Sequence, residues 1–145
     1  MVSSNKPGRI IDYADKDFVS LDENTLVADA ARIMYERGVC SVIVTHNDVE
    51  RHLRHSIGMI TARDFLQRVV AQSKGPFKLA AKDIMSTPLI TINKETLTND
   101  AIMLMKSKKI ARLPVINDSG EVLGIVSLRS LVGKASQEDI DSISA

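Results

Sequence analysis

The sequence predicts an α+β fold made of two pseudo-symmetric β-α-β-β-α repeats packed sheet to sheet. Three observations predict it. The first is self-similarity at a fixed period, the mark of a repeated supersecondary unit. The run Thr25-Leu26-Val27-Ala28-Asp29-Ala30 recurs 71 positions on as Thr96-Leu97-Thr98-Asn99-Asp100-Ala101. The same offset relates Met34 to Met105, Val39 to Ile110 and Val44 to Val115. Extended backwards, it relates Val19-Ser20-Leu21 to Ile90-Thr91-Ile92, and Asp12 to Asp83. The second observation is a change of register. Gly58-Met59-Ile60-Thr61-Ala62-Arg63 matches Gly124-Ile125-Val126-Ser127-Leu128-Arg129 at an offset of 66, so the first repeat carries five extra residues at 46–55. The third is that both repeats switch in the same order between strand-type and helix-type spacing.

The elements follow in order. Short β-type runs at 18–21 and 89–92 open the two repeats. A helix then places Leu26, Ala30, Ile33 and Met34 on one face, and its counterpart does the same with Leu97, Ala101, Leu104 and Met105. This i, i+4, i+7, i+8 spacing belongs to a half-buried helix. Two strands come next, 39–44 with 57–61 in the first repeat and 110–116 with 122–127 in the second. Asn117-Asp118-Ser119-Gly120 is a tight-turn sequence between the latter pair. Helices at 62–72 and 128–135 close the repeats. Ser73-Lys74-Gly75-Pro76 is a linker, and 79–85 reads as a short helix leading into the second repeat. The expected domains are 10–73 and 77–135, with a short acidic tail at 136–145. A sheet of this size leaves an apolar face open, and two such faces can cover each other.

Composition narrows the function classes. Nineteen basic and 18 acidic side chains leave a formal charge of +1, so no global field favours nucleic acid or a membrane surface. Aromatic residues are 3% and Trp is absent, which removes the stacking platforms of single-strand binders. Cys40 is the single cysteine, so a disulfide scaffold is not expected. Within an apolar strand it reads as a buried, inert thiol. No apolar run approaches the roughly 20 residues of a membrane span. A polar N-terminus without an apolar signal core makes a cytoplasmic location the expectation.

Three segments, taken in order and twice over, resemble a tandem cystathionine-β-synthase (CBS) domain pair, or Bateman module. They are Asp83-Ile84-Met85-Ser86-Thr87-Pro88, Ile110-Ala111-Arg112-Leu113-Pro114-Val115 and Gly58-Met59-Ile60-Thr61-Ala62-Arg63-Asp64. The resemblance runs from about Ile10 to Lys134. It implies a regulatory module that binds an adenosine-type ligand, such as AMP, ADP, ATP or S-adenosylmethionine, in clefts between repeats. It implies no catalysis and no catalytic cofactor. It gives the ribose diol to Asp64 and phosphate to Thr61 and Arg112. The first cleft then comprises Ile60, Thr61, Arg63, Asp64, Thr87, Pro88, Ile110, Ala111 and Arg112.

The chemistry of these residue types agrees. A strand-to-helix junction at Thr61 offers free backbone N–H groups. An ionised Asp accepts two hydrogen bonds from a cis-diol. Arg112 presents a planar fork to phosphate oxygens. A second, weaker cleft would use Val19, Val39, Cys40, Ser41, Ser127 and Ser130. There Ser130 stands in place of the family's Asp, and Ser41 in place of Arg112, so this cleft is expected to bind poorly.

Plainer roles stand beside these. Thr61 and Asp64 also have the spacing of a capping box, which is compatible with binding. Arg112 also reads as a solvated strand-edge charge. His46, His52 and His55 fall in a solvated hairpin loop with Arg51 and Arg54. Their spacing matches no zinc pattern, and no metal is expected. A homodimer is expected through Phe65, Leu66, Val69, Leu131 and Val132, with an unidentified effector protein as the partner that reads the ligand. The alternative to a sensor is a dimeric interaction scaffold with a vestigial ligand pocket.

Overall fold

The computed structural model describes residues 8–132, which form two compact units, 18–89 and 8–17 with 90–132. The sequence repeats and the compact units are not coextensive. The segment that leads into each repeat belongs to the unit of the other.

In the unit 18–89, strand β1 (Ser20–Asp22) leads to helix α1 (Val27–Arg37). The first-turn donors of α1 find partners outside the helix. Val27 donates its N–H to the Leu79 carbonyl at 2.8 Å and Ala28 to that of Pro76 at 3.0 Å. The 73–76 linker and its sequel therefore satisfy the orphan N–H groups that any helix start exposes. Gly38 ends α1 at φ 65°, a left-handed C-cap that glycine adopts without a Cβ penalty. Val27, Ala30 and Met34 are the buried face. Leu26, expected on that face, instead precedes the helix in extended backbone and is exposed, and Val27 takes its place.

Strand β2 (Ser41–Asp48) pairs parallel with β1 and antiparallel with β3 (Leu53–Thr61). The segment 46–55, expected as a loop, continues the hairpin. After a register irregularity between Val44 and Thr45, pairing runs on through His46 with His55, Asn47 with Arg54 and Asp48 with Leu53. The five additional residues thus lengthen a two-stranded arm whose side chains are largely exposed. Cross-strand contacts such as Arg54 Nε donating to Asn47 Oδ1 at 3.3 Å support the pairing.

Helix α2 (Ala62–Phe65) is a single α turn followed by a wider π turn at Leu66–Val70, not the continuous helix expected over 62–72. Helix α3 (Ala81–Ile84) comes next. Arg68 donates to the carbonyls of Ile84 at 3.0 Å and Met85 at 2.7 Å, tying the π turn to the end of α3. The core of this unit gathers Val27, Ala30, Met34, Val42, Val44, Ile60, Val69, Ala81 and Ile84.

The second unit repeats the plan with a 3-10 turn at Ile10–Tyr13, β4 (Ile92–Asn93), α4 (Thr98–Lys108), β5 (Arg112–Ile116), β6 (Val122–Ser127) and α5 (Leu128–Val132). Its sheet has the order β4-β5-β6, matching β1-β2-β3. Thr98 donates to the Gly8 carbonyl at 3.1 Å, the counterpart of Val27 to Leu79. Leu97, like Leu26, lies just before its helix and is exposed, and Ile102 joins Ala101 and Met105 on the buried face. Strands β1 and β4 are shorter than the β-type runs expected at 18–21 and 89–92. The expected continuation of α5 to 135 and the tail at 136–145 lie outside the described residues.

The leading segments bridge to the edge strands of their sheets at equivalent points. Ser86 bridges to Met59 on β3, and Asp15 bridges to Ile125 on β6. A Cβ added at Gly58 would lie 2.9 Å from the Ser86 carbonyl oxygen, and one added at Gly124 would lie 2.8 Å from that of Asp15. Only glycine permits backbone to approach strand this closely.

The apolar surface expected to join two copies is reduced. Val69 and Leu131 are buried within their own units, at 5% and 1% exposure, so they are not free to face a partner. Phe65 and Val132 are half-buried, while Leu66 and Val70 are exposed.

Candidate functional site

The α2 end of the unit 18–89 brings together residues that lie far apart in sequence. Thr61 is the last residue of β3 and the N-cap of α2, in extended backbone at φ −119° and ψ 169°. Asp64, in the first turn, reaches back. Its Oδ2 accepts the Thr61 N–H at 2.8 Å and the Thr61 hydroxyl at 3.4 Å. Its Oδ1 accepts the Ser86 hydroxyl at 3.3 Å, and Arg68 Nε lies 3.8 Å away. The carboxylate is buried, at 6% exposure. Burial of an ionised group requires such partners.

The Met59–Ser86 bridge delivers the other expected residues to the same edge. Thr87 donates its hydroxyl to the Ile57 carbonyl at 3.0 Å, and Thr87 and Pro88 are exposed beside it. Arg63 is exposed on α2. Ile60 faces the other way: its side chain is 0% exposed and lies in the unit's core, so only its backbone is available to a ligand. Sequence reasoning did not select Ser86 or Arg68. Ser86 lay within the quoted Asp83-to-Pro88 segment, but nothing local ties a hydroxyl to a carboxylate 22 residues earlier.

Ile110, Ala111 and Arg112 belong to the other unit. Arg112 opens β5 opposite Ser127 and is half-buried, and among the described residues no carboxylate lies within ion-pair distance of it. The Ala111 carbonyl accepts the Leu128 N–H at 2.7 Å, as the Cys40 carbonyl accepts that of Ala62 at 3.2 Å. Ser127 and Ser130 form a local hydroxyl pair. Ser130 takes its N–H to Ser127 Oγ at 3.1 Å and its hydroxyl to the Ser127 carbonyl at 2.9 Å.

Of the residues assigned to the weaker cleft from the first repeat, Val19 and Ser41 are buried, Val39 is half-buried and Cys40 is exposed. The expectation of a buried thiol is therefore corrected. Strand β2 starts at Ser41, and Cys40 lies outside its apolar run.

On the β2–β3 arm, His46 Nδ1 is hydrogen-bonded to Glu23 Oε1. The Glu23 carboxylate raises the His46 pKa above its ordinary value of 6.5, through that bond first and its charge second. Among the described residues no three His, Cys, Asp or Glu side chains gather as a metal-ligand set. A titration follows from the Glu23 pair. The ion pair contributes while His46 is protonated, fully below the ordinary pKa, and is lost as pH rises through the raised value. In a proton NMR titration, Glu23→Gln is expected to move the His46 midpoint down toward the ordinary value. An unchanged midpoint would show that Glu23 does not hold the proton.

The CBS domain family pattern matches residues 10–71 and 81–136. The chain belongs to the CBS-domain family. Its two matched segments make it a CBS pair, and such pairs are as a class regulatory or ligand-binding modules. The pair is 35% identical over 121 residues to the uncharacterized protein MK0525 of Methanopyrus kandleri, covering 83% of this chain and 59% of that protein. It is 32% identical over 116 residues to the inosine-5'-monophosphate dehydrogenase of Korarchaeum cryptofilum, covering 80% of this chain and 22% of the dehydrogenase. The chain thus spans less than two thirds of either relative's length. A conserved CBS domain protein of unknown function from Thermoplasma acidophilum, TA0289, shares the fold with a TM-score of 0.87 at 23% identity, over 96% of this chain and 75% of that one. No helix among the described residues is long and apolar enough to cross a membrane.

Proposed function

We propose that this CBS pair binds an adenosine-type nucleotide and passes the bound state to a partner, without chemistry on the ligand. The observation that carries it is the Ser86–Asp64 contact. A bridge across the sheet brings Ser86, Thr87 and Pro88 to the strand-to-helix junction where Thr61 and Asp64 meet. Hydroxyls, a carboxylate and backbone then share one edge, a donor and acceptor set suited to a ribose diol and a phosphate. A diol would take the Oδ1 lone pairs that the exposed Ser86 hydroxyl holds in its absence, an exchange of one hydrogen bond for another.

The dehydrogenase relative supports the regulatory half of the proposal. There the matching pair is a minor part of an enzyme, which fits an appended sensor better than a catalytic body. Binding that favours one arrangement of the pair would shift its population, and a partner protein would read the shift. A dimeric scaffold with a vestigial pocket is the alternative. The observation that favours it is that both Asp64 oxygens are already engaged within the unit.

A thermal-shift series with adenosine, AMP, ADP, ATP and S-adenosylmethionine separates the two. A true ligand adds about 2.7 kcal/mol of stability at a hundredfold excess over its Kd. No shift with any of the five supports the scaffold. Arg112 is assigned to phosphate by the family resemblance and has no carboxylate partner among the described residues. Arg112→Ala is therefore expected to weaken AMP and ATP while sparing adenosine, with a penalty that shrinks as salt rises. Equal loss for adenosine and ATP would make Arg112 a structural residue.

A further inference from the structure

Arg68 sits in the middle of the π turn at Leu66–Val70, and such turns inside helices are frequent at functional sites. Its guanidinium touches two segments at once. One terminal nitrogen donates to the carbonyls of Ile84 at 3.0 Å and Met85 at 2.7 Å, while Nε lies 3.8 Å from Asp64 Oδ1. A single rigid fork therefore spans from the Asp64 carboxyl to the end of α3. The two carbonyls are among those that a helix end leaves without an internal partner. The start of α3 is held as well. Ala81 donates its N–H to the Thr25 carbonyl at 2.7 Å, and Lys82 to that of Glu23 at 3.0 Å. With only one turn between them, a displacement of the last carbonyls of α3 reaches its first N–H groups.

Asp64 has a second link to the same segment, the Ser86 hydroxyl on Oδ1 at 3.3 Å. The two links answer a ligand differently. The Ser86 hydroxyl competes with a diol for Oδ1 and is given up when the diol binds. Arg68 spends its hydrogen bonds on the Ile84 and Met85 carbonyls and meets the carboxyl at longer range, so it keeps its hold on both segments in either state. It is also half-buried, with 42% of its side chain exposed, against 9% for Asp64.

We infer that Arg68 is the positioning residue that carries the occupancy of Asp64 to α3. A ligand on Oδ1 shifts the carboxyl against the guanidinium, and the guanidinium passes the shift to the Ile84 and Met85 carbonyls. The inference rests on the nucleotide function proposed above and adds to it the route by which the bound state leaves the site. Spatial intermediacy alone does not establish such a route, so the test reads the coupling itself.

AMP is titrated into the nitrogen-15-labelled parent, Arg68→Met and Ser86→Ala, with amide resonances read by NMR. Thr61 reports occupancy of the edge, and Ala81 and Lys82 report the response of α3. In the parent all three are expected to move on one binding curve. In Arg68→Met the Thr61 amide should still move, while the Ala81 and Lys82 responses are lost. In Ser86→Ala the α3 response should persist, because Arg68 remains. If Arg68→Met does not fold, Arg68→Gln, which keeps a donor but neither the charge nor the fork, is expected to give the same loss. An α3 response of parental size in the Arg68 variant would overturn the inference, since the ligand would then reach α3 without the guanidinium. So would its loss in Ser86→Ala, which would make the hydroxyl the carrier. Movement of Thr61 in the parent without Ala81 or Lys82 would also overturn it and leave nucleotide binding standing. No movement of any of the three, with no thermal shift from any adenosine compound, overturns both.

Discussion

Asp64→Ala is expected to weaken every ribose-containing adenosine ligand by roughly ten- to a hundredfold, the equivalent of the 1.5–3 kcal/mol of a charged hydrogen bond. It is also expected to lower stability, because the structure gives this carboxylate a second task. With Asp64 gone, the Thr61 N–H loses its 2.8 Å acceptor at the start of α2, the Ser86 hydroxyl loses its partner, and Arg68 keeps only its carbonyl acceptors at Ile84 and Met85. Loss of such a cap costs about 1 kcal/mol. Alanine alone therefore confounds binding with folding. Asp64→Asn separates them, since an amide oxygen can still accept from Thr61 while the charge is removed. The expected pattern is a melting temperature near the parent's for Asn, a lower one for Ala, and weakened binding in both, read by calorimetry well below either transition. Parental affinity in Asp64→Asn would make Thr61 and Asp64 a capping pair only, and the scaffold alternative would gain.

Ile60→Ala is expected to destabilise the protein by about 2–5 kcal/mol, the range for removing a large buried aliphatic side chain. Ile60 stands one residue before the proposed ligand edge, and the family resemblance assigns it to the ligand. Its side chain nonetheless points into the core, at 0% exposure, on a strand paired to β2 through Val42. Deletion leaves a cavity among Val42, Val44, Val69 and Ile84, which are all held by backbone pairing or by helix packing and can collapse only in part. Ile60→Val should cost only about 0.5–1.5 kcal/mol on the same scale. Urea unfolding of both variants checks this. A cost for alanine below about 1 kcal/mol would show that the side chain faces solvent or ligand instead.

The difference between these neighbours illustrates how far the amino-acid order could be read. The strand at 57–61 and the turn into α2 were legible, because strand and helix signals are local. Thr61 and Asp64 were legible for the same reason: a capping residue and an acid three positions on need no tertiary knowledge. Ser86 was not, because its contact with Asp64 joins segments that only the Met59–Ser86 bridge makes adjacent; Arg68, four residues after Asp64, carried a local i,i+4 signal.

Local errors have local causes. The five extra residues of the first repeat at 46–55 read as a loop, yet cross-strand hydrogen bonding propagates past the point where one face stops being buried. The sequence reads as one helix over 62–72, yet the backbone widens into a π turn from Leu66, where Arg68 ties it to the end of α3.

By itself the sequence determined the twofold repeat, the order of strands and helices in each half, the family, and the junction at Thr61, since all of these are written in short-range periodicity or in a repeated run of residues. Only the tertiary structure decided which unit owns each leading segment and which side chains surround the Asp64 carboxylate. Those outcomes depend on hydrogen bonds between residues tens of positions apart, made where a crossing segment meets a glycine on a strand, and chain order alone carries no measure of that proximity.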